Sequence, residues 1–484
     1  MSFVFYLLKP IYSQMGCEMK NGLIISLYCI LLVIAIYNLC AEYRRKNIIN
    51  AFICLQAAFI LYYIFIPILV HINIDFTREP LMGFIVRISI ADNYDIFYAF
   101  FYTLVAYIII LISYRITISP KVSVIGPTEI KRLANVDSHS SEVNIQYWNK
   151  RVYRIAIAAG ILTLIIGVIA ELVIAYSLGG IFQAIAMGDK MRAFGSDTSF
   201  YIPQNRLFVI VLMVSSLAST YFFVYGLRIY KKFIIKLLLL VSVLASTFYL
   251  LFNAGRLGIF IFLLSFFIDF VFRKTKHPFI SMSLFTILLL VSLGILDDLF
   301  FRLSYGFVKE SSKGILSTID EFSFPYANLL NVHKINVVYG LRWGIDFVSW
   351  IINIVPTTIL EVFGQAKITT GYTFITEYYS GANASGGTPT DLLTLGIRQF
   401  GGIGVFVVSL FISRLCKYFD KVIAKIHSDN FVFMTIRISS IMFVMVPYAD
   451  IDSFIRNRYD MLMVFIFAVI VNKTQTKLNQ YRTL

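Results

Sequence analysis

Apolar runs about as long as a bilayer is thick alternate along this chain with short polar connectors. A helical span needs about 20 apolar residues. The candidate spans are the runs at 23–40, 48–70, 96–114, 155–177, 207–227, 233–252, 257–272, 279–296, 397–413, 430–448 and 459–472. The pattern predicts an all-α, polytopic transmembrane helical bundle of about 11 spans. One stretch breaks the alternation. From 297 to 395 the sequence is mixed polar, aromatic and cationic, which predicts one large loop containing short amphipathic helices. The organisation read from this is 1–296 as an N-terminal transmembrane bundle of about 8 spans, 297–395 as the loop, and 396–484 as C-terminal spans with a short tail.

Orientation comes from the connectors. Arg44, Arg45 and Lys46, then Arg228, Lys231 and Lys232, then Arg273, Lys274 and Lys276, then Arg414, Lys417 and Lys421 all fall on one side. Lysine and arginine collect on the cytoplasmic side of membrane proteins. The large loop is therefore expected outside and the C-terminus inside. Within the loop, 340–360 places Leu341, Ile345, Val348, Ile351 and Ile352 near helical spacing beside Trp343 and Trp350. That run is too short to span and predicts an interfacial or re-entrant helix.

Composition agrees with the pattern. The chain is 58% hydrophobic and only 14% charged, where soluble domains run near 45–50% and ~25%. Its net charge of +15 follows from topology, and no basic stripe suited to nucleic acid is present. The 5 cysteines show no metal-ligand or disulfide spacing. The N-terminus lacks a basic n-region and a cleavage site, so no removable signal peptide is expected. No phosphate-loop or dinucleotide motif appears, and no cofactor is implied.

The candidate chemistry lies on the outer side. Arg256, in the turn Asn253–Arg256 between two apolar runs, joins Arg302, Arg342 and Arg398, with Lys190 and Arg192 on a facing loop. Lys309, Lys313 and Lys334 add to the group. Arginine's planar fork suits phosphate oxygens at a membrane surface, although interfacial cations also simply snorkel to headgroups. His333 and Glu321 are the candidates for taking a proton from a hydroxyl. The pairs Asp92/Asp95, Asp297/Asp298 and Asp450/Asp452 are read as helix caps before metal ligands. Residues 385–391 read either as an anion cradle at a helix N-terminus or as a hinge.

Three segments carry a resemblance: NAGRLGIFIFLLSF at 253–266, DEFSFPYANLLNVH at 320–333 and TPTDLLTLGIRQFGGIGVFVVSLFISRL at 388–415. With the architecture, they make the chain resemble the O-antigen and capsule repeat-unit polymerases of the Wzy type. Some members of that family carry Arg-x10-Gly in two outer loops. The outer loops of this chain lack that spacing, so only Arg256 carries over. The resemblance implies glycosyl transfer at the periplasmic face of the bacterial inner membrane. A growing glycan on undecaprenyl diphosphate would pass to a newly arrived lipid-linked repeat unit. It implies undecaprenyl-diphosphate-linked oligosaccharide, membrane lipids and a chain-length regulator as partners. The competing expectations are a lipid-linked oligosaccharide flippase and an O-antigen ligase.

Overall fold

The structure is a computed structural model. It describes residues 17–46, 50–73, 88, 91–116, 138–193, 209, 212–253, 302, 315–353, 355, 357–381, 388–424, 447, 460–467 and 470. Between 258 and 292 it describes 258–259, 262–267, 280–281, 284–285, 288 and 292. Every regular element among these residues is helical, with no strand.

α1 spans Cys17–Lys46. α2, Ala51–Ile60, starts at Asn50, whose side chain accepts the Ile53 amide at 2.9 Å, as an N-cap asparagine does. It runs through a π turn, Leu61–Phe65, into α3, Ile66–Asn73. Pro67 explains the wide turn. A helical proline lacks an N–H and clashes with the carbonyl four residues back, here Tyr63, and an i−5 turn relieves the clash. α4, Asn93–Arg115, begins with a capping box between Asp92 and Asp95. α5 is Ser138–Ser177, α6 Ile181–Ala193, α7 Ser215–Ile229 and α8 Phe233–Phe252. α9 is Ile315–Tyr339. A 3-10 turn at Ile345–Phe347 precedes α10, Ser349–Asn353, and α11, Thr357–Val362. α12 is Gly371–Ser380, α13 Leu392–Phe400 and α14 Gly402–Ala424.

Among the described residues, six helices are long and apolar enough to cross a membrane: Asn21–Arg44, Ala51–Ile72, Tyr94–Arg115, Val152–Ser177, Phe233–Phe252 and Gly402–Lys421. Five of them fall on expected spans. The sixth differs, because the run 397–413 is broken at Gly401 and the span begins after it. Of the expected span 207–227, the described helix is the shorter α7. The runs 279–296 and 430–448 lie largely outside the described residues, and 257–272 and 459–472 are described only in part, at 258–259 and 262–267 and at 460–467 and 470.

The apolar interior forms two main clusters. One is built from α1–α4, α9, α13 and α14. The other is built from α5–α8 with Phe262, Leu264, Met461 and Val464. Phe419 of α14 packs against both.

The largest departure from the sequence reading is α9. The stretch 297–395 reads as loop, yet Phe322 through Val332 are all buried, packed on α3, α4 and α13. Apolar residues there point to more than one face. The polar residues among them have partners: Asn328 Nδ2 donates to the Pro389 carbonyl at 2.9 Å, and Tyr326 Oη meets His71 Nε2 at 2.8 Å. A buried polar side chain is tolerated when it is hydrogen-bonded. The helix expected over 340–360 is also broken, into the 3-10 turn, α10 and α11, by Gly340 and Gly344 at φ 70° and 89°.

Candidate functional site

α13 is the pivot of the site. Asp391 caps it, accepting the Thr394 amide on Oδ1 at 3.1 Å and the Tyr63 hydroxyl at 2.6 Å. The Leu393 amide donates to that same hydroxyl at 3.3 Å. The Leu393 and Thr394 amides at this N-terminus are thus met from within the protein, while 385–387 of the expected anion cradle or hinge lie outside the described residues. Burial lifts the Asp391 carboxyl to about 6, opposed by the Thr394 and Tyr63 hydrogen bonds. At its other end, Gly401 takes φ 62° and turns the chain into α14. A Cβ on Gly396 would stand 2.6 Å from the Gly404 carbonyl oxygen, so only glycine lets the two helices touch there.

Two residues along an α-helix is a rotation of about 200°. With Gly396 against α14, Arg398 is turned toward α9. It is the largest fully buried side chain, at 0% exposure. Its Nη1 donates to Asn336 Oδ1 at 2.6 Å, the Gly340 carbonyl at 3.0 Å and the Ile335 carbonyl at 3.4 Å. These acceptors cluster at the C-terminus of α9, the negative end of its dipole. Nε and Nη2 have no partner among the described residues. Those two atoms form the edge of the guanidinium that binds an oxyanion with two parallel N–H bonds. Each unmet buried donor costs about 1–3 kcal/mol.

Arg342 lies beside it. Its Nε–H sits between both Asp346 oxygens at 2.8 Å, and Nη2 donates to the Thr369 carbonyl. Its guanidinium lies 4.7 Å from the centroid of the Phe374 ring, and that of Arg398 lies 5.9 Å from the same ring. Gln399 locks the pair together. It donates to Asp346 Oδ2 at 2.6 Å and accepts the Gly344 amide at 2.8 Å. Arg342 N to Arg398 O at 3.0 Å and Trp343 N to Gln399 O at 3.1 Å complete a short ladder between the turn after α9 and α13. A β-carbon on Gly371 would stand 2.9 Å from Thr390 Oγ1 and 3.2 Å from Asp346 Oδ2, so α12 starts against this network.

His333 is one helical turn from Asn336 on α9, and residues three apart share a face. Its Nε2 meets the Tyr102 hydroxyl at 3.1 Å, and its ring packs on Tyr98 and Tyr102. Burial moves the imidazole below its ordinary value, and Asp95 opposes this. Burial thus favours the neutral form of the ring. Lys334 bridges Asp95 at 3.0 Å and Asp92 at 3.3 Å, so these carboxylates hold a lysine and cap α4.

The structure therefore brings Arg342 and Arg398 together, with His333 one turn of α9 from Arg398's acceptor. Arg302 is exposed and no contact ties it to this group. Arg256 lies outside the described residues. Lys190 and Arg192 belong to α6 and Glu321 to α9, but their side chains are outside the described set. Asn336, Asp346, Phe374 and Gln399 complete the network without having been singled out from sequence. Only Asp346 left a trace there, four residues after Arg342, a spacing at which opposite charges meet on a helix or tight turn.

Chemically, the arrangement presents two arginines, one paired with Asp346 and one with an open fork, and an imidazole one helical turn from Asn336. No family model, no curated protein and no solved structure matches the chain.

Proposed function

We propose that this protein is a membrane glycosyltransferase that polymerises undecaprenyl-diphosphate-linked oligosaccharide repeat units into O-antigen or capsular polysaccharide at the periplasmic face of the inner membrane. The observation that carries the reading is the open Nε–Nη2 edge of a fully buried Arg398, flanked by Arg342. A diphosphate leaving group develops charge as its bond to the sugar breaks, and preorganised donors in a water-poor site stabilise such charge strongly. In this reading the anomeric carbon leaves the diphosphate oxygen and bonds to the acceptor hydroxyl oxygen. The acceptor's proton passes to His333, and undecaprenyl diphosphate departs on Arg398 and Arg342. Holding two bulky lipid substrates in register supplies the rest of the acceleration. Lys190, Arg192, Arg302, Arg256 and Glu321 remain candidates in the same scheme.

One observation favours a second reading, a lipid-linked oligosaccharide flippase. Glu171 lies in the span Val152–Ser177, 7% exposed, with Oε1 unpartnered among the described residues. Ionisable residues inside a bundle often mark a transport path.

A gel of surface glycolipids from a host lacking the gene separates these readings, with complementation by wild type, Arg398→Gln and Glu171→Gln. A single-repeat band without a ladder, restored by wild type and not by Arg398→Gln, supports the polymerase. Loss of every repeat-bearing band, rescued by wild type and not by Glu171→Gln, supports the flippase. Full-length polymer that accumulates on undecaprenyl and never reaches the lipid core supports an O-antigen ligase.

A further inference from the structure

The open edge of Arg398 has no exposed surface, so a ligand reaches it only if a covering element moves. The element bonded directly to Arg398 is the turn that follows α9, whose Gly340 carbonyl accepts Nη1 and whose Arg342 amide donates to the Arg398 carbonyl. Within Gly340–Gly344, three residues take positive φ: Gly340 at 70°, Trp343 at 51° and Gly344 at 89°. Trp343 is the sole non-glycine residue with positive φ among the described residues. A bulky residue in the left-handed region is strained, and such strain persists only where the surroundings over-determine it. Here three hydrogen bonds do so. Arg342 N donates to Arg398 O, Trp343 N to Gln399 O and Gly344 N to Gln399 Oε1. All three end on Arg398 or its neighbour. The closed turn is therefore strained, hinged on glycines at both ends, and latched to Arg398 and its neighbour.

Its outer surface is apolar. Trp343 is 74% exposed, and Val337, Val338, Leu341 and Val348 are exposed around it. The 3-10 turn that follows Gly344 packs on the last residue of α13, just before α14 begins. Phe347 stacks on Phe400 with centroids 6.3 Å apart. Three residues on, at the start of the span Gly402–Lys421, Ile403 is 71% exposed and Phe406 is also exposed. Tryptophan concentrates at the level of lipid headgroups. A lipid surface, rather than another protein, is what this placement fits.

We propose that Gly340–Gly344 is a strap seated in the membrane interface by Trp343, swinging on its two terminal glycines to admit a lipid-borne diphosphate from the bilayer to the open edge of Arg398. The proposal rests on the lipid-linked-substrate reading above and adds the route of entry and its gate.

The test uses the full-length chain in lipid nanodiscs, with Trp148→Phe and Trp350→Phe so that Trp343 is the one emitter. Brominated phospholipid quenches a tryptophan only at contact depth. Undecaprenyl diphosphate and inorganic diphosphate are added separately, and retention of radiolabelled undecaprenyl diphosphate is followed in parallel. For an interfacial tryptophan, emission is expected to fall roughly two-fold in brominated lipid. The lipid diphosphate should then change that quenching, inorganic diphosphate should not, and Arg398→Gln in the same background should keep the quenching and lose the response. If the lipid is retained but Trp343 is unquenched or does not respond, the strap is overturned and the lipid-substrate reading stands. If inorganic diphosphate gives an equal response, entry from the bilayer is overturned in favour of entry from water. If the native chain retains no lipid diphosphate, the strap and that reading fall together.

Discussion

At the scale of single residues, Arg398 combines complete burial with a half-used guanidinium. Lysine in its place keeps the charge but presents a point donor instead of a fork. Arg398→Lys should therefore fold and lose most of the activity. A loss of tenfold or more corresponds to about 1.4 kcal/mol of transition-state binding. The ladder density of the glycolipid gel, normalised to protein level, reads this directly, and an unchanged ladder would remove the fork from the mechanism. His333 gives a second residue-scale prediction. A general base works in its deprotonated form, and burial holds this imidazole below its ordinary range. Activity in membranes should stay flat from pH 8 down to about 6.5, the reference imidazole value, and fall only below it. His333→Gln should abolish that acid limb together with most of the rate. Asp391 supplies a third test, on stability. Its folded carboxyl titrates at about 6, against roughly 3.9 in an unfolded chain. The folded state then binds the proton more tightly, so stability is expected to fall as pH rises between those values. Asparagine at 391 keeps the cap and carries no charge, so melting temperatures of Asp391→Asn in detergent should lose that pH slope.

At the scale of elements, five of the expected spans were readable because about 20 apolar residues in a row is a property of local composition. α9 was not readable in the same way. Its burial depends on Asn328 finding the Pro389 carbonyl 61 residues away and Asn336 holding Arg398 from 62 away. No window of sequence contains both partners. The open fork was equally hidden. Charge alone nominated Arg342 and Arg398, but which guanidinium edge stays free is decided by Asn336 and the Gly340 carbonyl. The break at Gly401 was masked by apolar residues on either side of it, although the glycines at 396, 401, 402 and 404 were visible as a packing signal. That signal now has a specific test. Gly404 and Gly396 leave no room for a Cβ between α13 and α14. Overpacking a tight contact costs about 1–3 kcal/mol. Gly404→Ala should lower the melting temperature by several degrees and, because α13 carries Arg398, reduce polymer output as well. A Gly404→Ala protein with native melting and native output would mean that this contact is looser than the backbone geometry requires.

At the scale of the whole molecule, the six apolar helices and the two clusters define a membrane protein with two interiors. The site belongs entirely to the first. His333 stands on α9, which packs on α3 and α4, Arg398 and its cap Asp391 belong to α13, which packs on α4 and α14, and Arg342 lies in the turn bonded to α13. The two interiors also differ in how the chain supplies them. The second is assembled chiefly from one continuous stretch, α5 to α8. The first is closed by joining α1–α4 with α9, α13 and α14 from much later in the chain. A ribosome therefore releases the early helices long before their partners exist. During that interval Tyr28, Gln56 and Thr103, all buried in the finished protein, face the insertion machinery or lipid without their final neighbours. The middle bundle is expected to close first, and the Arg342–Arg398 cluster only when α13 arrives. Insertion of this protein is thus a matter of custody as much as of hydrophobicity, with the first four helices held in waiting until the late segments complete their core.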